Sequence, residues 1–164
     1  MRLMRRKIDD FLKEWKENED RLPLIVKGAR QIGKTASIMQ FANDNYRNVV
    51  AINFVLQQKF KSIFDDGYDV DSVVRNITLI NPNIELEPGN TIFFFDEMQD
   101  CPVCATSLKA FKIDGRYDVV CSGSLMGINY QEIESNSVGY KEDYTMHSMD
   151  FEEFHSTKVR IFYK

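Results

Sequence analysis

Leu22-Pro23-Leu24-Ile25-Val26-Lys27 runs directly into Gly28-Ala29-Arg30-Gln31-Ile32-Gly33-Lys34-Thr35, and this junction decides the fold. The first six residues form an apolar run of buried-strand type, with Pro23 near its start, where no ladder hydrogen bond is lost. The next eight satisfy G-x-x-x-x-G-K-[ST] and lead through Ala36 into Ile38, Phe41 and Ala42, one face of a predicted helix that stops at Asn43-Asp44-Asn45. Strand, glycine-rich turn and helix in that order are the context that gives the pattern meaning. Gly28 and Gly33 let the backbone curl close to phosphate oxygens, and the amides at the helix start offer donors at the positive end of its dipole. Lys34 adds a mobile point charge for β- and γ-phosphates, while the hydroxyl of Thr35 suits Mg²⁺, a hard cation that takes oxygen ligands. Ala29, Arg30, Gln31, Ile32 and Ala36 complete the candidate phosphate-binding stretch. Arg30 can touch phosphate or pair with a neighbouring carboxylate.

Downstream, Asn48 to Val55 reads as a second buried strand, Phe60, Ile63 and Phe64 as a short helix, and Val70, Val73, Val74 and Ile77 as a longer one. Asn81 to Asn90 holds two of the four prolines and reads as a loop. Thr91-Ile92-Phe93-Phe94-Phe95 is a strand that ends in Asp96 and Glu97. Asp96 is the candidate metal-side acid, and Glu97 the candidate base that polarises a water for in-line attack on a γ-phosphate. After a helix over Ala105 to Phe111, Tyr117-Asp118-Val119-Val120-Cys121 predicts a further strand leading into Ser122-Gly123-Ser124. Parallel strands gather their C-termini along one edge, so Ser122, ranked ahead of Ser124, is expected beside the reacting phosphate.

Upstream, Ile8, Phe11, Leu12 and Trp15 recur at helical spacing, preceded by Arg2, Arg5, Arg6 and Lys7, which read as a solvated helix start ahead of the alternative, a phosphate- or partner-binding arm, and are given no site. Cys101-Pro102-Val103-Cys104 has redox or zinc spacing, but no second such pair exists and three cysteines frame no scaffold, so they read as packing residues. His147 and His155 sit in no triad pattern. The 164 residues are 43% hydrophobic, a globular composition long enough for one core. With 21 Lys+Arg against 25 Asp+Glu the net charge is −4, which argues against coating a polyanion. Uninterrupted apolar stretches such as Ile92 to Phe95 are far too short for a membrane span, and a cytoplasmic location is the expectation.

Taken together, Pro23 to Thr35, Phe93 to Gln99, Ser107-Leu108-Lys109 with Phe111, Ser122 to Gly127, and Met149-Asp150-Phe151-Glu152-Glu153-Phe154 resemble the prokaryotic AAA-type ATPases of the additional-strand P-loop class. The resemblance covers nearly the whole chain. It implies a three-layer α/β sandwich with a mainly parallel sheet, the phosphate-loop strand between two others, and one strand inserted between it and the acidic strand. It further implies ATP and Mg²⁺, with Lys34 and Thr35 in the loop, Asp96 on the metal, Glu97 activating water and Ser122 near a sensor position. Two departures stand out. Gly139-Tyr140-Lys141 replaces the usual glycine and basic residue, and the chain stops at Val159 to Lys164, where relatives continue into a helical lid and a C-terminal domain. The expectation is a single core domain over 1–164 whose effector portion is absent, with a neighbour's arginine or a lid completing the site.

Three function classes follow. An ATPase switch or motor acting on a protein partner, on the absent C-terminal domain or within a homo-oligomer uses the second acid, Glu97. A small-molecule phosphotransferase wants a cationic lid, and no arginine-rich segment follows Ser122 to Ser124. A nucleotide-sensing module would use ATP to order the fold. No Asn-Lys-x-Asp sequence supports guanine reading.

Overall fold

A computed structural model of the chain describes residues 4–124, 131, 133 and 137–155. The readings placed on Arg2, on Leu125 to Gly127 and on Val159 to Lys164 lie outside them.

Among the described residues the elements run α1 (Lys7–Glu17), β1 (Leu24–Lys27), α2 (Lys34–Asn45), β2 (Asn48–Asn53), α3 (Val70–Ile80), β3 (Thr91–Asp96), α4 (Cys104–Asp114), β4 (Asp118–Gly123) and β5 (Glu142–Thr145). The short helix at Phe60 to Phe64 is 3-10 in form and spans Gln58–Phe64, and a second 3-10 turn covers Met98–Asp100. A helical turn at 151–155 closes the described chain. Strand order is β2-β3-β4-β1-β5, with every neighbouring pair parallel. The inserted strand is therefore β4, between the phosphate-loop strand β1 and the acidic strand β3.

Parallel strands covered on both faces should read as continuous apolar runs whose side chains alternate between two cores. β3 does this: Phe93 and Phe95 enter one core with α3, α4 and the 3-10 helix, while Ile92 and Phe94 enter the other with α1 and α2. β1 divides the same way, Ile25 to the first core and Leu24 and Val26 to the second. The result is three layers, helix on sheet on helix. β1 and β3 also set the functional edge. Register pairs β1 with β4 at Lys27↔Gly123 and β2 with β3 at Asn53↔Asp96, so the C-terminal ends of four strands finish together.

β5 was not foreseen as a strand. Its residues Glu142-Asp143-Tyr144-Thr145 are polar, and charges hold this edge strand: Lys27 of β1, buried, lies 3.1 Å from Asp143, which also pairs with Lys141. The backbone completes the pairing, with Glu142 donating to the Pro23 carbonyl and Met146 to that of Lys27.

Candidate functional site

The loop between β1 and α2 is shaped by its glycines. A Cβ on Gly28 would sit 2.5 Å from the Met146 carbonyl oxygen and 2.7 Å from Ile32 Cδ1, so no side chain fits there. Gly33 takes φ +95° as the residue before α2, a left-handed conformation that L side chains rarely adopt. Gln31 is also left-handed, at φ 61°. Among the described residues no side chain caps α2, and the first amides of a helix have no intrahelical partner, so this end presents donors. Ala29, Arg30, Thr35 and Ala36 are exposed around it.

Lys34 is buried, and its ammonium donates to the carbonyl oxygens of Gly28 and Ala29, folding back over its own loop. Burial draws its pKa down and Arg30 adds to that, while Glu97 and Asp96 push the other way. The strongest association is around Asp96. Its Oδ2 accepts from Thr35 Oγ1 at 2.9 Å and Asn53 Nδ2 at 3.1 Å, and its Oδ1 from the Glu97 amide at 3.0 Å and from Ser122 Oγ. Residues from α2, β2 and β4, and the amide just after β3, thus converge on one buried carboxylate. Two of them, Thr35 and Asp96, are the hard oxygen donors that a Mg²⁺ ion selects.

Glu97 follows at φ 57°, ψ 47°, a backbone state costly for a non-glycine residue. Its carboxylate accepts from the side-chain amide of Gln99, whose carbonyl end takes the Ser124 amide at 3.3 Å. Gly123 permits this, since a Cβ there would meet Gln99 Oε1 and Met98 Cγ at 3.1 Å. Of the two serines, Ser122 reaches Asp96 through its hydroxyl, and Ser124 reaches Gln99 through its backbone.

Two residues at this edge were not singled out from the sequence, and a third was given no site. Asn53 and Gln99 are polar groups at strand ends, and strand ends that meet at one edge were the signal to look for. Arg6 is a correction: read as part of a solvated helix start, it is largely buried and donates to the Ile32 carbonyl inside the loop at 2.9 Å.

The cysteines behave as packing residues. Burial pushes the Cys101 thiol up to about 12, and burial together with a hydrogen bond to Cys121 raises Cys104. Neither favours thiolate chemistry. His147 and His155 are both exposed. No group of three or more potential metal-binding His, Cys, Asp or Glu side chains occurs among the described residues.

Comparison with known families matches residues 20–155 to an AAA domain. The chain belongs to the AAA domain family. This AAA domain also resembles solved structures in fold: PCH-2 of C. elegans, with 14% identity, TM-score 0.52 and coverage of 96% of this chain and 46% of that one. The ORC1 protein of Aeropyrum pernix, solved in complex with DNA, gives 12% identity and TM-score 0.55, covering 96% of this chain and 48% of that one. A RuvB variant of Thermotoga maritima gives 16% identity and TM-score 0.50, covering 84% and 43%. The chain spans less than half the length of each of these structures. A comparison with curated proteins gave no match. The family match supports an ATP-binding P-loop protein, and the solved structures share its three-layer α/β fold.

Proposed function

We propose that this AAA domain binds ATP with Mg²⁺ and hydrolyses it, using the change in bound nucleotide to alter contacts with a protein partner or a second copy of the chain. The observation that carries the reading is the 2.9 Å hydrogen bond from Thr35 to Asp96, which joins the phosphate loop to the acidic strand across 61 residues of chain. Thr35 and Asp96 would hold the metal, which when bound neutralises phosphate charge. The amides of Gly33 to Ala36 would bind phosphate oxygens, and Lys34 would leave the Gly28 and Ala29 carbonyls for the β- and γ-phosphates. Arg30 stands exposed at the loop where it can meet a phosphate. Ser122, beneath Asp96, would fix that carboxylate's orientation, and Glu97 would accept a proton from the attacking water.

A specific contact favours a second reading, a nucleotide sensor with little turnover: Gln99 holds the Glu97 carboxylate. Phosphate release from the parent and from Glu97→Gln separates the two. A hydrolase loses about a hundredfold or more of its rate in Glu97→Gln while still binding ATP. Equal rates in parent and variant would remove Glu97 from the mechanism, and a parent that binds without release would favour the sensor.

A further inference from the structure

Arg6 touches three parts of the molecule that are far apart in sequence. Its Nη1 donates to the Ile32 carbonyl and its Nη2 to the His147 carbonyl just past β5, each at 2.9 Å. Its Nε lies 3.2 Å from Glu153 Oε1, with the two side chains only 10% and 9% exposed. That Nε makes no hydrogen bond among the described residues, so the ion pair is close in distance but not aligned. The guanidinium also lies against Gly33, where a Cβ would be 3.4 Å from Nη1.

Glu153 is tied in turn. Its Oε1 accepts the Lys7 amide at 2.8 Å and its Oε2 the Asp150 amide at 3.0 Å, while Asp150 Oδ1 accepts the Glu153 amide at 2.9 Å. The last two bonds are a reciprocal cap for the helical turn 151–155. Lys7 adds ion pairs to Asp150 and Glu152 at 2.5 and 2.9 Å.

Peptide planarity gives the Ile32 contact its meaning. The Ile32 carbonyl and the Gly33 N–H belong to one rigid unit, so holding the oxygen fixes the direction of the amide that opens α2. The flanking Gln31 and Gly33 are both left-handed, and an outside contact is what over-determines such a backbone. We propose that Arg6 is a positioning residue for nucleotide binding: it aims the Gly33 amide and, through His147 and Glu153, couples occupancy of the phosphate loop to the docking of segment 147–155. This rests on the loop being a phosphate site. Because coupling is reciprocal, ATP must tighten segment 147–155 by as much as that segment's docking favours ATP.

The test uses the full 164-residue chain with ATP and Mg²⁺, read by titration calorimetry and by amide hydrogen exchange of residues 147–155. Arg6→Lys keeps the charge but loses the planar fork that spans two carbonyls. Its affinity for ATP is expected to fall roughly tenfold, the equivalent of one lost hydrogen bond. In the parent, ATP slows exchange at 147–155, and in Arg6→Lys that slowing disappears. Glu153→Gln changes no loop residue and tests the other arm, so it decides the matter if Arg6→Lys does not fold; it too loses the ATP-dependent slowing, and a Glu153→Gln chain that keeps it overturns the proposal. Parent-like affinity in folded Arg6→Lys, or exchange at 147–155 that ATP does not change in a parent that binds it, overturns the proposal alone. A parent that binds no ATP overturns both the proposal and the reading of the loop.

Discussion

Asp96 is the residue on which the site turns. A buried carboxylate is tolerated only when hydrogen bonds replace the water it has lost, and four donors do so here, from Thr35, Asn53, Ser122 and the Glu97 backbone. Ser122 is the most deeply placed of these side chains, at 1% exposure. Its replacement by alanine removes a hydrogen bond to a charged group, with an expected cost of about 1.5–3 kcal/mol in urea unfolding. A loss below about 0.5 kcal/mol would mean that Ser122 does not support Asp96. Thr35 is different, because it is exposed in the first turn of α2, where the proposed metal would take the place of its bond to Asp96. Adjacent acids at a strand end and G-x-x-x-x-G-K-[ST] made Asp96, Glu97, Lys34 and Thr35 legible in the sequence as candidates, since each proposed chemistry requires its residue type at a fixed spacing. Asn53 and Arg6 were not legible that way, because the contacts that define them cross 43 and 26 residues of chain and depend on which strands and helices become neighbours.

At the scale of elements, local pattern recovered what is locally determined. The apolar runs of β1, β3 and β4 and the stripes of α1 and α3 follow from alternation between two cores and from helical spacing. β5 escaped because its stability is tertiary: Asp143 is matched by Lys27 and Lys141, and no apolar run marks it. The turn 151–155 had a readable signal, Asp150 followed three residues later by Glu153, which is capping spacing. Its attachment is chiefly electrostatic, with Phe151 79% and Phe154 46% exposed, and that makes it sensitive to acid. Burial pushes the Glu153 carboxyl up, but the amides of Lys7 and Asp150 and the Arg6 guanidinium outweigh burial and hold it below its ordinary value. Asp150 is held low by Lys7 and the Glu153 amide, and Lys7 is raised by Asp150 and Glu152. Tyr144 and Asp9 also face this cluster. Carboxyls with depressed folded values contribute stability that is complete above their unfolded values and lost as pH falls through the folded ones. The helical backbone of 151–155 is therefore expected to persist down to about pH 5, and its amide resonances to move to disordered positions below about 4. Constant resonances down to pH 3 in a folded chain would contradict this account of the attachment.

Among the described residues two apolar cores are separated by one sheet, and the candidate site sits where the sheet's C-terminal edge meets the starts of α1 and α2. Phe95 links the edge to the first core: fully buried, it packs against Phe54 at 5.7 Å, Phe64 at 6.0 Å and Phe111 at 6.3 Å between ring centroids. Phe95→Ala should destabilise the chain by about 3–5 kcal/mol, a large share of a domain's usual stability, and a loss under about 1 kcal/mol would mean that this core repacks freely. The same sheet carries Asp96 one residue beyond Phe95 and Lys27 one residue before Gly28, so the rigid cores hold the loop and the acid in fixed relation. That relation is what nucleotide binding requires. Calorimetric titration of ATP with Mg²⁺ into the 164-residue chain, beside Lys34→Ala with its fold verified by thermal unfolding, tests it most directly. The account predicts one saturable site in the parent and none in Lys34→Ala; no binding by the parent, or equal binding by both, would contradict it.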